Sequence, residues 1–300
     1  DYYDRGKGRD SRLGKLSYML EADYKLLSIA KTFNPDLFVS FGAIYATHVA
    51  KLLSKPSIFL DDTDSNVLNR KFALPFATNI LTPSVFSFNL GEKHIKFDSY
   101  MELAYLHPRV FNPSRKLVES LGISTAAVYT VIRFVDWKAS HDFNHSGITQ
   151  ENKIKAVKEF SQYGKVLISS ESKLPPQIAK YATAFPPEYM HHVISFANLV
   201  YGESATMASE AAVLGVPSIY LDNDGRSYTD EEEERYNLVS NFTESLSDQE
   251  KSIVRGKEIL GKGKSTYFMK QREKILMEKI SLSDYFNWLI INYPNSISTL

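Results

Sequence analysis

The chain contains no cysteine. Disulfides and thiolate zinc sites are therefore excluded, and a reducing cytoplasm is permitted. Neither charge is in excess, since 35 Lys plus Arg balance 35 Asp plus Glu. That excludes a nucleic-acid protein that relies on a strong basic field. No apolar run reaches the roughly 20 residues of a membrane span, and no signal-peptide pattern is seen. Internal repeats and low-complexity tracts are also lacking. What is present is 43% hydrophobic residues over 300 positions, enough for about two domains with real cores.

The order of elements reads from the spacing of apolar residues. Leu16, Leu20, Leu27 and Ala30 lie at helical spacing and predict a helix over 15–32, broken by Asn34-Pro35. Short buried strands follow at Leu37 to Val39, Ser57 to Leu60 and Asn79 to Leu81, with a helix from Ile44 to Leu53 between the first two. Residues 101–114 carry two prolines and interrupt the rhythm, which places a domain boundary there. Alternation resumes with strands at Ala127 to Ile132, Lys165 to Ser169, Leu199 to Tyr201 and Ser218 to Leu221, and helices at Glu151 to Tyr163, Glu188 to Phe196 and after Ser204. Residues 248–292 read as mostly helical. The acidic run Asp230 to Glu234 reads as a helix start with a solvated face. Alternation of this kind predicts parallel sheets covered on both faces. The polar opening, Arg5 to Asp10, has no strand before the first helix. The expectation is therefore a first domain (1–108) that lacks its opening strands and a second domain (109–300).

Ligands of open parallel sheets sit outside the carboxyl ends of the strands. The segment from Leu199 to Tyr220 is the most informative in that light. It reads as strand, small-residue turn, helix, strand. Helix N-terminal amides beside Ser204, Ala205 and Thr206 suit a diphosphate, and Glu210 is a lone carboxylate able to accept from a ribose. Arg133 also follows a strand; its forked donor suits a diphosphate or a structural ion pair. Asp61, Asp62 and Asp64 follow another strand and are candidates for a general base, with a helix N-cap as the plainer role for Asp64. Asp62-Thr63-Asp64 spells a short metal-binding signature, but no metal ligand is assigned from it. His191 and His192 point about 100° apart on a helix, so they do not share a metal. One is expected to pack and the other to be exposed or to reach the ligand. His48 reads as a satisfied core histidine and Gly42 as a turn or close-approach residue.

The stretches Glu102 to Pro108, Ile132 to Asp142, Ser169 to Glu171 and Glu203 to Pro217 resemble domain-of-unknown-function family 354, and with it the GT-B superfamily of nucleotide-sugar glycosyltransferases and UDP-N-acetylglucosamine 2-epimerase. The resemblance implies an α/β fold of two doubly wound parallel-sheet domains facing a cleft, with a C-terminal helix packing back on the first domain. Ser204 and Glu210 match the epimerase's diphosphate serine and ribose glutamate, whereas Ala205 and Thr206 replace its glycines. Phe185 matches a region that contacts the base in GT-B proteins, here a wall for uracil. Most of the epimerase's positioned carboxylates and its histidine have no match, which favours sugar transfer over epimerisation. The resemblance then implies a metal-independent, cytoplasmic glycosyltransferase without a cofactor, using a UDP-sugar or similar nucleotide sugar. Its acceptor would be a glycan or lipid-linked molecule, in cell-surface polysaccharide or glycolipid synthesis at the inner membrane face. Lys138 and His141 would offset leaving-group charge, and Asp62 or Asp64 would be the base. A UDP-sugar 2-epimerase-like isomerase and a non-catalytic nucleotide-sugar binder are the alternatives.

Overall fold

A computed structural model of the chain describes residues 3–4, 11–136, 145–183, 185–263 and 265–299. They form two compact units, the first ending at Asp98 and the second running from Ser99 to Thr299.

The first unit begins with α1 (Arg12–Phe33). Ser11 caps it by accepting the Gly14 amide, and Asn34 ends it in the left-handed region at φ 50°, a conformation that asparagine tolerates. Next come β1 (Phe38–Phe41), α2 (Ile44–Leu52), β2 (Ser57–Leu60), α3 (Val67–Ala73), β3 (Asn79–Pro83) and β4 (His94–Phe97). The strands are parallel, in the order β1-β2-β3-β4. Every residue of β2 is buried, as a parallel strand covered on both faces requires. Phe59, Ile80, Ile44 and Ala73 form one apolar cluster and Ala30, Phe38, Val49 and Ala50 another. The helix α3 and the strand β4 were not foreseen from the sequence.

The second unit contains α4 (Leu103–Leu106), α5 (Arg115–Ser120), β5 (Tyr129–Phe134), α6 (Gln150–Phe160), β6 (Lys165–Ser170), α7 (Met190–Ile194), β7 (Leu199–Gly202), α8 (Ala205–Leu214), β8 (Ser218–Leu221), α9 (Ser227–Glu234) and β9 (Val239–Phe242). Four helices close it: α10 (Leu246–Gly261), α11 (Thr266–Glu278), α12 (Leu282–Ile291) and α13 (Asn295–Ser298). Its parallel sheet has the order β6-β5-β7-β8-β9. The order reverses between β5 and β7, the switch point where such sheets take ligands. Ile132, Phe134, Phe160, Tyr201 and Ile253 lie in its core.

Residues 99–108, assigned from the sequence to the first domain, belong to the second unit. Tyr100, Leu103 and Leu106 are buried. Tyr100 Oη donates to Glu231, and Ser99 Oγ donates to the Ile280 carbonyl at 2.8 Å. The prolines at 108 and 113 therefore mark turns inside the unit. The helix α12 packs on α4. Among the described residues no helix is long and apolar enough to cross a membrane.

Strands β5 and β7 meet closely where β7 ends. Gly202 has φ 147°, and a Cβ there would lie 2.0 Å from the Arg133 carbonyl oxygen. That oxygen also accepts the Glu203 amide at 3.1 Å. Backbone cannot yield as a flexible side chain does, so Gly202→Ala should destabilise the protein by about 2–4 kcal/mol. Urea unfolding of the variant checks this, and a midpoint equal to that of the parent chain would refute the close approach.

Candidate functional site

The site is built around the amino end of α8. Ser204 has extended backbone (φ −107°), and its Oγ accepts the Met207 amide at 3.3 Å, an N-cap. The first amides of the helix, at Ala205 and Thr206, have no intrahelical carbonyl to bond and lie at the positive end of the helix dipole. Further along α8, Glu210 is only 7% exposed. Its Oε1 accepts from His191 Nε2 at 2.8 Å and from Tyr105 Oη at 3.1 Å. A carboxylate only accepts, so His191 carries its proton on Nε2. The His191 ring lies 5.5 Å from that of Tyr105 and 6.1 Å from that of Phe111.

Arg133 sits near the end of β5, in register with Ser169 on β6. Its Nη1 donates to Ser169 Oγ at 2.7 Å and its Nη2 to Glu171 Oε1. Glu171 Oε2 accepts the Asp136 amide at 3.1 Å. A cavity of about 450 Å³ opens here, lined among others by Arg133, Ser169, Phe185, His191, Ser204, Thr206 and Glu210. Its size is that of a small-molecule site. It lies beside the carboxyl ends of β5 and β7.

Six residues singled out in the sequence (Arg133, Phe185, His191, Ser204, Thr206 and Glu210) thus line one cavity. Ala205 begins the helix between two of them. Lys138 and His141 lie outside the described residues. Arg133 makes the structural ion pair considered for it, with Glu171, and also lines the cavity. The two histidines divide as their angle demands: His191 lines the cavity, while His192 Nδ1 accepts the Ser114 amide at 3.0 Å and its ring lies 4.8 Å from that of Phe111.

The aspartates are in the first unit. Asp61 is buried against Arg70, Oδ2 to Nη1 at 3.1 Å. Burial raises its pKa above the ordinary carboxylate value, and bonds from the Thr63 amide and Arg70 offset only part of that. Asp62 Oδ1 accepts from Thr63 Oγ1 at 2.9 Å. Asp64 Oδ1 accepts the Ser87 amide at 3.0 Å. The N-cap position of α3 is Asn66, so Asp64 does not cap that helix. His48 is satisfied on both sides, by Asp23 at 3.0 Å and the Phe72 carbonyl at 3.1 Å. Gly42 makes a turn at φ 63°.

Several participants were not foreseen. Tyr105 reaches Glu210 from a distant part of the chain, and the bond of His191 to the same carboxylate was not foreseen either. His145, Asp222 and Asp224 each bring a ligand-type atom within 4.8 Å of the others, a set able to hold a divalent cation. Glu244 holds this histidine, Nδ1 to Oε1 at 2.5 Å, the orientation a ligating imidazole uses.

A fold of two parallel α/β units, with a cavity at a strand-order switch point, is that of the GT-B proteins. A Staphylococcus aureus protein, MnaA, solved with UDP has a TM-score of 0.67 at 11% identity, covering 93% of this chain and 81% of that one. UDP-GlcNAc 2-epimerase from Neisseria meningitidis, bound to UDP-GlcNAc, gives 0.63 at 13% identity over 94% and 83%. The spinosyn rhamnosyltransferase SpnG with spinosyn aglycone gives 0.54 at 15% identity over 91% and 81%. The chain belongs to the family described as "Protein of unknown function (DUF354)", whose model matches residues 6–224. No curated protein matches it.

The support beneath Glu210 departs from the sequence pattern. The helix α9 starts at Ser227, before the acidic run, and Glu232 within that run is fully buried rather than solvated. Ser209 Oγ donates to Glu232 Oε1 at 2.6 Å, and Oε2 has no partner among the described residues. Burial holds its pKa well above the ordinary value; the charges of Glu102 and Glu231 act the same way, while Ser209 and Lys279 oppose. A raised folded pKa contributes stability that is full below the unfolded value and lost as pH rises through the folded one. Glu232→Gln keeps the acceptor for Ser209 but does not titrate. Its stability relative to the parent chain should therefore increase as the pH is raised from the ordinary carboxylate range into the alkaline range. Urea midpoints across that range test it, and a difference that stays flat with pH would count against a buried neutral carboxyl.

Proposed function

We propose that the cavity at α8 binds the nucleoside diphosphate of a nucleotide sugar, a UDP-sugar first among them, and that the protein is a metal-independent glycosyltransferase. The observation that carries this reading is the joint placement of Glu210, the amino end of α8 and Arg133 around one cavity. The amides at Ser204, Ala205 and Thr206 and the guanidinium of Arg133 take the diphosphate. Glu210 Oε2, which no donor among the described residues uses, accepts from a ribose hydroxyl. Phe185 walls the base.

In the reaction, an acceptor hydroxyl attacks the anomeric carbon and the bond from that carbon to the diphosphate oxygen breaks. Asp62 or Asp64 takes the hydroxyl proton. Lys138 and His141 offset the charge that builds on the leaving diphosphate. The acceptor is a glycan or lipid-linked molecule in cell-surface polysaccharide or glycolipid synthesis, at the cytoplasmic membrane face. Support from other proteins lies in the ligands of the similar structures: UDP, UDP-GlcNAc and spinosyn aglycone.

Calorimetric titration with UDP tests the site. Glu210→Ala should weaken UDP binding by about tenfold or more, the scale of a lost hydrogen bond to a charged group. Arg133→Met should weaken it as well, and unfolding temperatures taken alongside separate lost binding from lost fold. Unaltered UDP affinity in both variants, or no UDP binding by the parent chain, would overturn the reading.

Transfer should also persist in excess EDTA, with release of UDP accompanying a new glycosidic product. Activity lost to the chelator and restored by Mg²⁺ or Mn²⁺ would instead assign leaving-group charge to a metal, for which His145, Asp222 and Asp224 are the available ligands. Return of an intact, isomerised nucleotide sugar would replace transfer by epimerisation.

A further inference from the structure

A second cavity, of about 480 Å³, lies at the opposite end of the same sheet. Asn198 and Pro217, which immediately precede β7 and β8, belong to its wall, as do Leu214 and Gly215 at the carboxyl end of α8. No acidic side chain lines it. Its apolar surface includes Phe111, Phe196 and Phe268.

Two arginines share this wall. Arg272 Nε donates to the Val213 carbonyl at 2.9 Å, closing the end of α8. Gly215 permits that approach: it has φ 80°, and a Cβ there would lie 2.9 Å from Arg272 Cδ. Arg115 lies with its guanidinium 4.9 Å from the centre of the Phe196 ring, and its Nη1 has only Thr125 Oγ1 at 3.4 Å. Neither arginine makes an ion pair among the described residues. Burial pulls the Arg272 pKa below the ordinary arginine value, with Glu273 opposing weakly. A third donor joins them. Asn198, 7% exposed, uses Oδ1 to accept the Tyr129 amide at 3.2 Å, which fixes its orientation and leaves Nδ2 with no acceptor among the described residues. A half-buried guanidinium without a counter-charge, as at Arg272, is costly, and an apolar cavity that sets it beside the exposed guanidinium of Arg115 and the side chain of Asn198 is complementary to an anion.

We infer that this cavity is a second ligand site, for a small organic anion whose carboxylate or phosphate head meets the guanidinium groups of Arg115 and Arg272 and whose aromatic or branched apolar body packs on the phenylalanines. The site stands apart from the nucleotide reading, because it shares no residue with the cavity around Glu210.

The full chain is titrated calorimetrically with 4-phenylbutyrate and phenyl phosphate, then with 4-phenylbutanol, which lacks the charge, and inorganic phosphate, which lacks the apolar body. At least one aryl anion should bind about tenfold or more tightly than both controls, as charge-assisted hydrogen bonds imply. The tighter of the two anions identifies the head group. Arg272→Met should bring acid and alcohol to equal affinity. Because Arg272 also closes α8, Arg115→Met, at an exposed position, decides the matter where the first variant fails to fold. The inference is overturned if the alcohol binds as tightly as the acid, if neither aryl anion binds, or if Arg115→Met leaves the anion's affinity unchanged.

Discussion

Everything at the site depends on one buried carboxylate next to a glycine. Gly202 brings β7 so close to β5 that only its lack of a side chain allows the contact. The next residue, Glu203, is buried and cannot stand there without partners. It finds them on both sides of the loop that leaves β5: Oε2 accepts the Val135 amide at 2.9 Å and Oε1 the Ile148 amide at 2.6 Å. Lys153 on α6 adds its charge at 3.4 Å. One side chain thereby pins the exit of β5, the entry to α6 and the turn into α8. Glu244 repeats the device two strands further along, where its Oε2 accepts the Ser146 and Gly147 amides at 2.6 and 2.7 Å. Its pKa is lowered; burial works the other way, and the bonds from His145 and these amides prevail.

Once that junction is set, the helix α8 carries the consequences to both ends of the sheet. Ser204 can cap it only because Glu203 has fixed the chain before it. Eight of the ten residues of α8 are buried, and four of its residues are alanines, so the helix packs closely against its surroundings. The replacement of glycine by Ala205 and Thr206 in the resembling turn is tolerated for the same reason: these positions are already helical, where an L residue is at ease, and the amides they offer are unchanged.

The alternating pattern was legible in the sequence because buried parallel strands are short apolar runs, as at Ile132, Val200 and Ile219. Two of the edge strands, β4 and β9, were not. His94 and Lys96 make β4 look like loop, and Ser240 and Asn241 do the same for β9. Membership of residues 99–108 was equally hidden, since it rests on the bond from Tyr100 to Glu231, far along the chain. At the site, Ser204, Glu210 and Arg133 could be named because strand ends and helix starts are local features. Tyr105 could not, and His191 was named without its partner, because nothing local ties either one to a carboxylate on α8. Glu232 misled for the opposite reason. Its charged neighbours describe a wet helix face, and only the packing of α9 on α8 turns this one residue inward.

The same contacts bear on how the proposed ligand would be held. Glu210 is already paired by His191 and Tyr105 in the protein alone, so a ribose adds bonds to a satisfied carboxylate rather than relieving a bare charge. Its share of the binding free energy is then the net value of hydrogen bonds to a charged acceptor and no more. The diphosphate has more to gain, since the opening amides of α8 lack helical partners. Arg133 is different again: its Nη2 is committed to Glu171, and a phosphate that takes it must compete with a carboxylate already in place. Anion recognition at β5, as proposed, would therefore be an exchange of partners, and it would favour ligands carrying more negative charge than the single carboxylate they displace.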